Sequence, residues 1–162
     1  MREQIRLIAR GGILPPRWTL LLLRLAFGWL FLNSAVEKLT TEGGWTAAGF
    51  LTHAVEGPFA TIFQRMAGLA WVDWMVVTGE LLIGVALVLG VATRLTVLSA
   101  SVMLLLFYLA QLPPEHGWVS EKIIYILGLN VLAVARAGTF LGLDQLLEKL
   151  ERRYPALQYA LG

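Results

Sequence analysis

Six ionisable residues sit within or at the ends of long apolar runs: Arg24, Lys38, Glu80, Arg94, Lys122 and Arg136. A charge in such a place costs free energy unless it is paired or hydrated, so each is a candidate for chemistry. They form three pairs, Arg24 with Lys38, Glu80 with Arg94 and Lys122 with Arg136, and each pair is fourteen positions apart. That interval is nearly four helical turns and puts both members on one face, about 21 Å apart. With helices alternating in direction, Arg24, Arg94 and Arg136 form one ring of charge, and Lys38, Glu80 and Lys122 form the other. In the second ring, two lysines around one carboxylate leave a net positive charge, an environment suited to a small anion. The plainer reading is boundary anchoring, in which long Lys and Arg stems let their charged heads reach water. Glu80 fits that reading poorly, because a short carboxylate two turns inside its run cannot snorkel.

Other chemistry-bearing residues are sparse. Asn33 and Asn130 have the character of hydrogen-bonding glue between membrane helices. His53 and His116 lack ligand-spaced partners, so no metal site is expected. Most of the tryptophans, at 18, 29, 45, 71, 74 and 118, flank the ends of apolar runs as an aromatic belt would. Trp118, beside the second ring, is also placed to wall a quinone headgroup pocket. The chain has no cysteine, which removes thiolate metal sites, persulfides and cysteine nucleophiles from its repertoire. Phosphate loops, dinucleotide fingerprints and nucleophile elbows are absent as well.

The elements that must hold these residues follow from composition. Of 162 residues, 57% are hydrophobic and only 15% charged, and the mean hydropathy is +0.70. A water-soluble domain keeps roughly a quarter of its residues charged, so this chain belongs in a bilayer. A net charge of +2 gives no argument for nucleic acid. Four stretches approach the roughly 20 apolar residues that a spanning helix needs, at about 18–36, 71–92, 95–112 and 119–137. Thr93-Arg94 reads as a tight turn between the second and third, and Pro113-Pro114 stops the third. The fold class expected is all-α, an integral membrane antiparallel four-helix bundle forming a single domain over 1–162.

Small residues on the charged faces, Gly28 and Ala35 between Arg24 and Lys38 and Gly84 after Glu80, let helices approach closely or leave room for a ligand. The outer loop, 44–70, reads as an amphipathic cap. Phe50, Leu51 and Ala54 share one side of its first part, and Phe59, Ile62, Phe63, Met66, Ala67 and Ala70 share a face after Pro58. A surface helix is expected over 144–154, with Asp144 as its N-cap. Arg2, Arg6, Arg10, Arg17, Arg94, Arg136, Lys149, Arg152 and Arg153 fall on one side, against Lys38, Arg65 and Lys122 on the other. By the positive-inside rule both termini are expected in the cytoplasm, in a multi-pass protein of the cell (plasma) membrane.

The ordered residues resemble a known family. The run from Arg24 to Lys38, then Gly79-Glu80 with Gly84, Leu87, Gly90 and Thr93-Arg94, then Lys122, and finally Ala137-Gly138 through Leu143-Asp144, resembles the DoxX/DoxD membrane proteins. The segment GWTAAGFLTHAVEGPFATIFQRMAG looks most like the DoxD branch, the membrane subunit of thiosulfate:quinone oxidoreductase. The resemblance implies a four-helix membrane subunit that oxidises thiosulfate to tetrathionate and passes the electrons to a quinone, beside a smaller DoxA-like subunit. Under it, Glu80 is the catalytic proton acceptor or relay, and Lys38 and Lys122, with Arg24 or Arg94 deeper, are the cations that hold thiosulfate. Trp118 is then the quinone-binding residue. Membrane lipid, thiosulfate or another small anion, quinone, a DoxA-like subunit and further copies of the chain are the expected partners. Two other classes use the same residues: a noncatalytic scaffold for partner redox proteins, and a small-anion or lipid-binding membrane protein.

Overall fold

The computed structural model describes residues 15–113 and 117–146, in which every regular element is a helix and none is a strand. Pro15 precedes α1, Pro16–Leu39, whose first position is a proline, the residue with no amide to leave unsatisfied there. Two short helices follow, α2 at Ala48–His53 and α3 at Ala60–Gln64. Then come α4 at Ala70–Leu89, α5 at Thr93–Ala110 and α6 at Glu121–Val134, and a turn of 3-10 helix at Ala137–Thr139. Each of the four long helices packs on two others, α1 on α4 and α6, and α5 on α4 and α6. Phe27, Phe31, Ile83, Leu87, Val97, Ala100, Leu104, Leu129 and Leu132 fill the space between them.

Three helices, α1, α4 and α5, are long and apolar enough to cross a membrane. The fourth expected span, 119–137, is shorter than the sequence suggests. Its helix has 14 residues, about 21 Å at 1.5 Å per residue, against a hydrocarbon core of about 30 Å. It ends early because the chain leaves the helix at Arg136, which takes a left-handed φ of 51°. The boundary after α4 also moves. Thr93 and Arg94 open α5, and the turn is made by Gly90, Val91 and Ala92, with Gly90 left-handed at φ 63°.

Close approach of α1 and α4 occurs where the sequence carries its small residues. A Cβ on Gly28 would lie 2.7 Å from Val88 Cγ2, and one on Gly84 would lie 2.8 Å from the Leu32 backbone nitrogen. Gly28 therefore faces Gly84 and Val88 while Lys38 faces Glu80, so the two helices run in opposite directions.

The loop over 44–70 packs as a second small core of Ala47, Leu51, Val55, Val72 and Ala110, against which Trp45, Phe50, Phe63, Met66 and Ala67 rest. Its expected single apolar faces do not form. Because α3 stops at Gln64, Phe63 and Met66 turn inward while Phe59 and Ile62 stay exposed. Ala54 is likewise exposed. The expected surface helix at 144–154 is described only for its first turn, Asp144 to Leu146. Arg2, Arg6, Arg10, Glu115, His116, Lys149, Arg152 and Arg153 lie outside the described residues.

Candidate functional site

At one end of the helices, Lys38 and Glu80 meet. The Lys38 ammonium donates to both carboxylate oxygens of Glu80, at 3.0 Å to Oε1 and 2.8 Å to Oε2, and to the Ser34 hydroxyl at 2.6 Å. Trp45 lies over the same ammonium, 5.3 Å from nitrogen to ring centre. Glu80 is 3% exposed. A carboxylate so buried is tolerable because the lysine neutralises it, and the lysine is tolerable because all its donors have acceptors. Helical geometry explains the set: Ser34 is one turn before Lys38 on α1, and antiparallel packing through Gly28 and Gly84 brings Glu80 of α4 to the same level.

Lys122 does not join this pair. Its ammonium contacts Glu121 Oε1 at 3.2 Å, and its side chain lines a separate cavity of about 740 Å³. That cavity lies where α5 ends, α6 begins and the connection between α2 and α3 passes, with Glu56, Tyr108, Gln111 and Ser120 in its wall. Trp118 stands close by in the chain, 77% exposed, and its carbonyl accepts a hydrogen bond from the Tyr108 hydroxyl at 2.9 Å. The cavity and the Lys38 pair are linked through the loop core. Trp45 rests on the cluster that contains Val55 and Ala110, the chain neighbours of Ala54, Glu56 and Gln111.

The opposite end is organised by Arg24, which is 1% exposed. Nη1 donates to the carbonyls of Ala137 at 2.6 Å and Phe140 at 3.2 Å, and Nη2 donates to Leu141 at 3.1 Å. Asp144, fully buried, interacts electrostatically with Arg24. Its side chain reaches a different helix from the one it was expected to cap. Oδ1 accepts from the Ala92 amide at 2.7 Å and Oδ2 from the Thr93 amide at 3.0 Å, so it caps the start of α5.

Gly138 fits against the Thr93 hydroxyl and Asp144, and Gly90 and Gly142 against the guanidinium, with no space for a Cβ at any of the three. Three residues other than glycine hold left-handed backbone here, Ala92 at φ 47°, Arg136 at φ 51° and Leu141 at φ 49°. Such conformations cost about 1–3 kcal/mol each and persist where surrounding bonds over-determine them. Here those bonds come from Arg24 and Asp144. Arg94 and Arg136 belong to this end by their positions at the start of α5 and the end of α6.

Among the described residues, Asn33 and Asn130 do not bridge helices. Asn33 donates to Glu37 on its own helix at 2.6 Å, and Asn130 to its own Ile126 carbonyl at 2.8 Å.

The DoxX family profile matches residues 19–111, more than half of the chain. The protein belongs to the DoxX family. No curated protein and no solved structure matches the chain. Within this DoxX protein the matched range contains Arg24, Lys38, Glu80 and Arg94, while Lys122, Trp118 and Asp144 lie beyond it. The Lys38 pair is thus assembled wholly from family-matched helices. The Arg24 knot joins a matched helix to the segment that follows α6.

Sequence reasoning missed Ser34, Trp45, Asp144 as a cap for α5, and the polar wall of the cavity. Only Ser34 carried a local signal, its spacing of four from Lys38.

Proposed function

We propose that this DoxX protein is a membrane subunit of a quinone-linked oxidoreductase that acts on thiosulfate. The observation that supports the reading is the buried Lys38–Glu80 pair, a carboxylate set into apolar helices at 2.8 Å from its counter-ion. Joining two thiosulfates as tetrathionate forms one sulfur–sulfur bond and releases an electron pair. A quinone that takes up the pair also consumes protons, and supplies the oxidising power when bound. In this scheme Glu80 holds and releases a proton at its carboxylate, and Lys38 fixes the carboxylate's position and charge. Lys38 has no donor left for substrate, so the anion meets other groups, with Lys122 and a DoxA-like subunit the sources to test.

Thiosulfate-dependent reduction of a soluble quinone analogue by the protein in nanodiscs, with and without its partner subunit, tests this. Turnover in the native chain should fall by about 100-fold or more in folded Glu80→Gln.

A second reading is favoured by a specific observation. The donors of Lys38 and most of those of Arg24 are spent on internal acceptors, as in a noncatalytic scaffold for partner redox proteins. Absence of turnover under both conditions selects that reading.

A further inference from the structure

The cavity at the junction of α5 and α6 has a charge pattern that neither a simple anion nor a simple cation satisfies. Among the described lining residues, Glu56, Glu121 and Lys122 carry a formal charge of −1, which disfavours a free anion. Glu56 makes no hydrogen bond or ion pair among the described residues. Lys122 has one contact, with Glu121, and so keeps donors in hand. The Ser120 hydroxyl is shielded from solvent and has no hydrogen-bond partner, a state that is costly unless an acceptor arrives. A ligand that completes this wall carries an acceptor-rich anionic group for Lys122 and Ser120 and a cationic donor for Glu56. Its volume of about 740 Å³ falls in the ordinary range of small-molecule sites.

The surroundings say how such a ligand arrives. Both α5 and α6 terminate at the cavity, which puts it at the edge of the apolar slab rather than within it. From its rim, Val119 is exposed, and Ile124, Leu127 and Val131 continue along one face of α6 at helical spacing, all exposed. A headgroup in the cavity would lay its acyl chains along that strip. Quaternary amines are held by cages of aromatic rings, but Tyr108 is the one aromatic side chain among the described lining residues, and its hydroxyl is engaged by Trp118. A carboxylate such as Glu56 instead suits an amine with N–H donors.

We infer that this cavity binds the headgroup of an aminophospholipid, the phosphate at Lys122 and Ser120 and the primary amine at Glu56. Glu80 takes no part in this site, so the inference does not rest on the redox reading; the two meet only at Lys122, which here holds the lipid phosphate in place of thiosulfate.

Native mass spectrometry of the full chain, released from nanodiscs of mixed phosphatidylethanolamine, phosphatidylcholine and phosphatidylglycerol, reads the occupancy directly. Retention of phosphatidylethanolamine over the other two by about tenfold is expected, with loss of that preference in Glu56→Gln and of total retention in Lys122→Gln. Thermal unfolding of each variant checks that it is folded, and Glu80→Gln should retain lipid like the native chain whatever happens to turnover. Water-soluble phosphoethanolamine at millimolar concentration should displace little lipid; displacement as efficient as by added lipid would assign the cavity to a soluble zwitterion and overturn the proposal. Equal retention of phosphatidylglycerol, an unchanged preference in Glu56→Gln, or displacement by a quinone analogue would overturn it too.

Discussion

Asp144 closes the first turn of α5 from 51 residues further along the chain, its Oδ2 accepting the Thr93 amide at 3.0 Å. A helix start is normally capped by the residue just before it, but Ala92 has no side-chain acceptor and sits in a left-handed conformation. The carboxylate that substitutes for it also faces Arg24, so one side chain serves a helix terminus and a buried cation together.

Replacing Asp144 with Ala should destabilise the protein by about 3–5 kcal/mol, the range for removing one partner of a buried charge pair, and Asp144→Asn by less because its amide oxygen still accepts. Thermal unfolding in detergent, at fixed lipid and detergent concentrations, measures both. Equal stability of Asp144→Ala and the native chain would show that the cap contributes nothing.

Gly138→Ala introduces a methyl group where Thr93 and Asp144 already stand. The expected cost is about 1–3 kcal/mol from overpacking. The same substitution at Gly49, which has nothing within 4 Å of its Cβ position, should be near neutral and serves as the control.

At the other end, Lys38→Met and Glu80→Gln should each cost stability, with Lys38→Met the larger at about 3 kcal/mol because it leaves an ionised carboxylate buried. The double variant should be more stable than the sum of the single effects implies. A double-mutant cycle in unfolding free energy gives the coupling, expected at above about 1 kcal/mol. Additive single effects would mean that the two groups do not stabilise one another.

Gly84→Ala brings a Cβ to 2.8 Å from the Leu32 backbone, which cannot move as a flexible side chain tip could. The helices must separate, and the Lys38–Glu80 contact with them. The expected signature is lower stability together with lower turnover, whereas Glu80→Gln should lose turnover with a smaller loss of stability.

Much of this was legible in the sequence because it depends on helical period. The fourteen-residue spacing put Lys38 and Glu80 at one level and Arg24 and Arg94 at the other, and Gly28 and Gly84 marked where α1 and α4 touch. Lys122 shared the spacing but not the partner, because spacing fixes height and face along a helix and leaves the neighbour to packing. Among the described residues, its one ionic contact is with its immediate neighbour Glu121. Asp144 was visible as a capping residue, yet which helix it caps is a long-range fact with no local signal. The early end of α6 was hidden for the same reason: an apolar stretch continues through Val134 and Ala135, and the carbonyls that Arg24 binds lie just past the left-handed turn at Arg136.

Arg24 receives its acceptor at Ala137, 113 residues later in the chain. During synthesis at about 5–20 residues per second, α1 must therefore wait on the order of ten seconds before its arginine can be satisfied. The first helix cannot be released alone into lipid at low cost over that interval. Completion of the Arg24 site thus depends on the segment after α6, and a chain truncated before Ala137 is expected to leave α1 with an unmet buried charge.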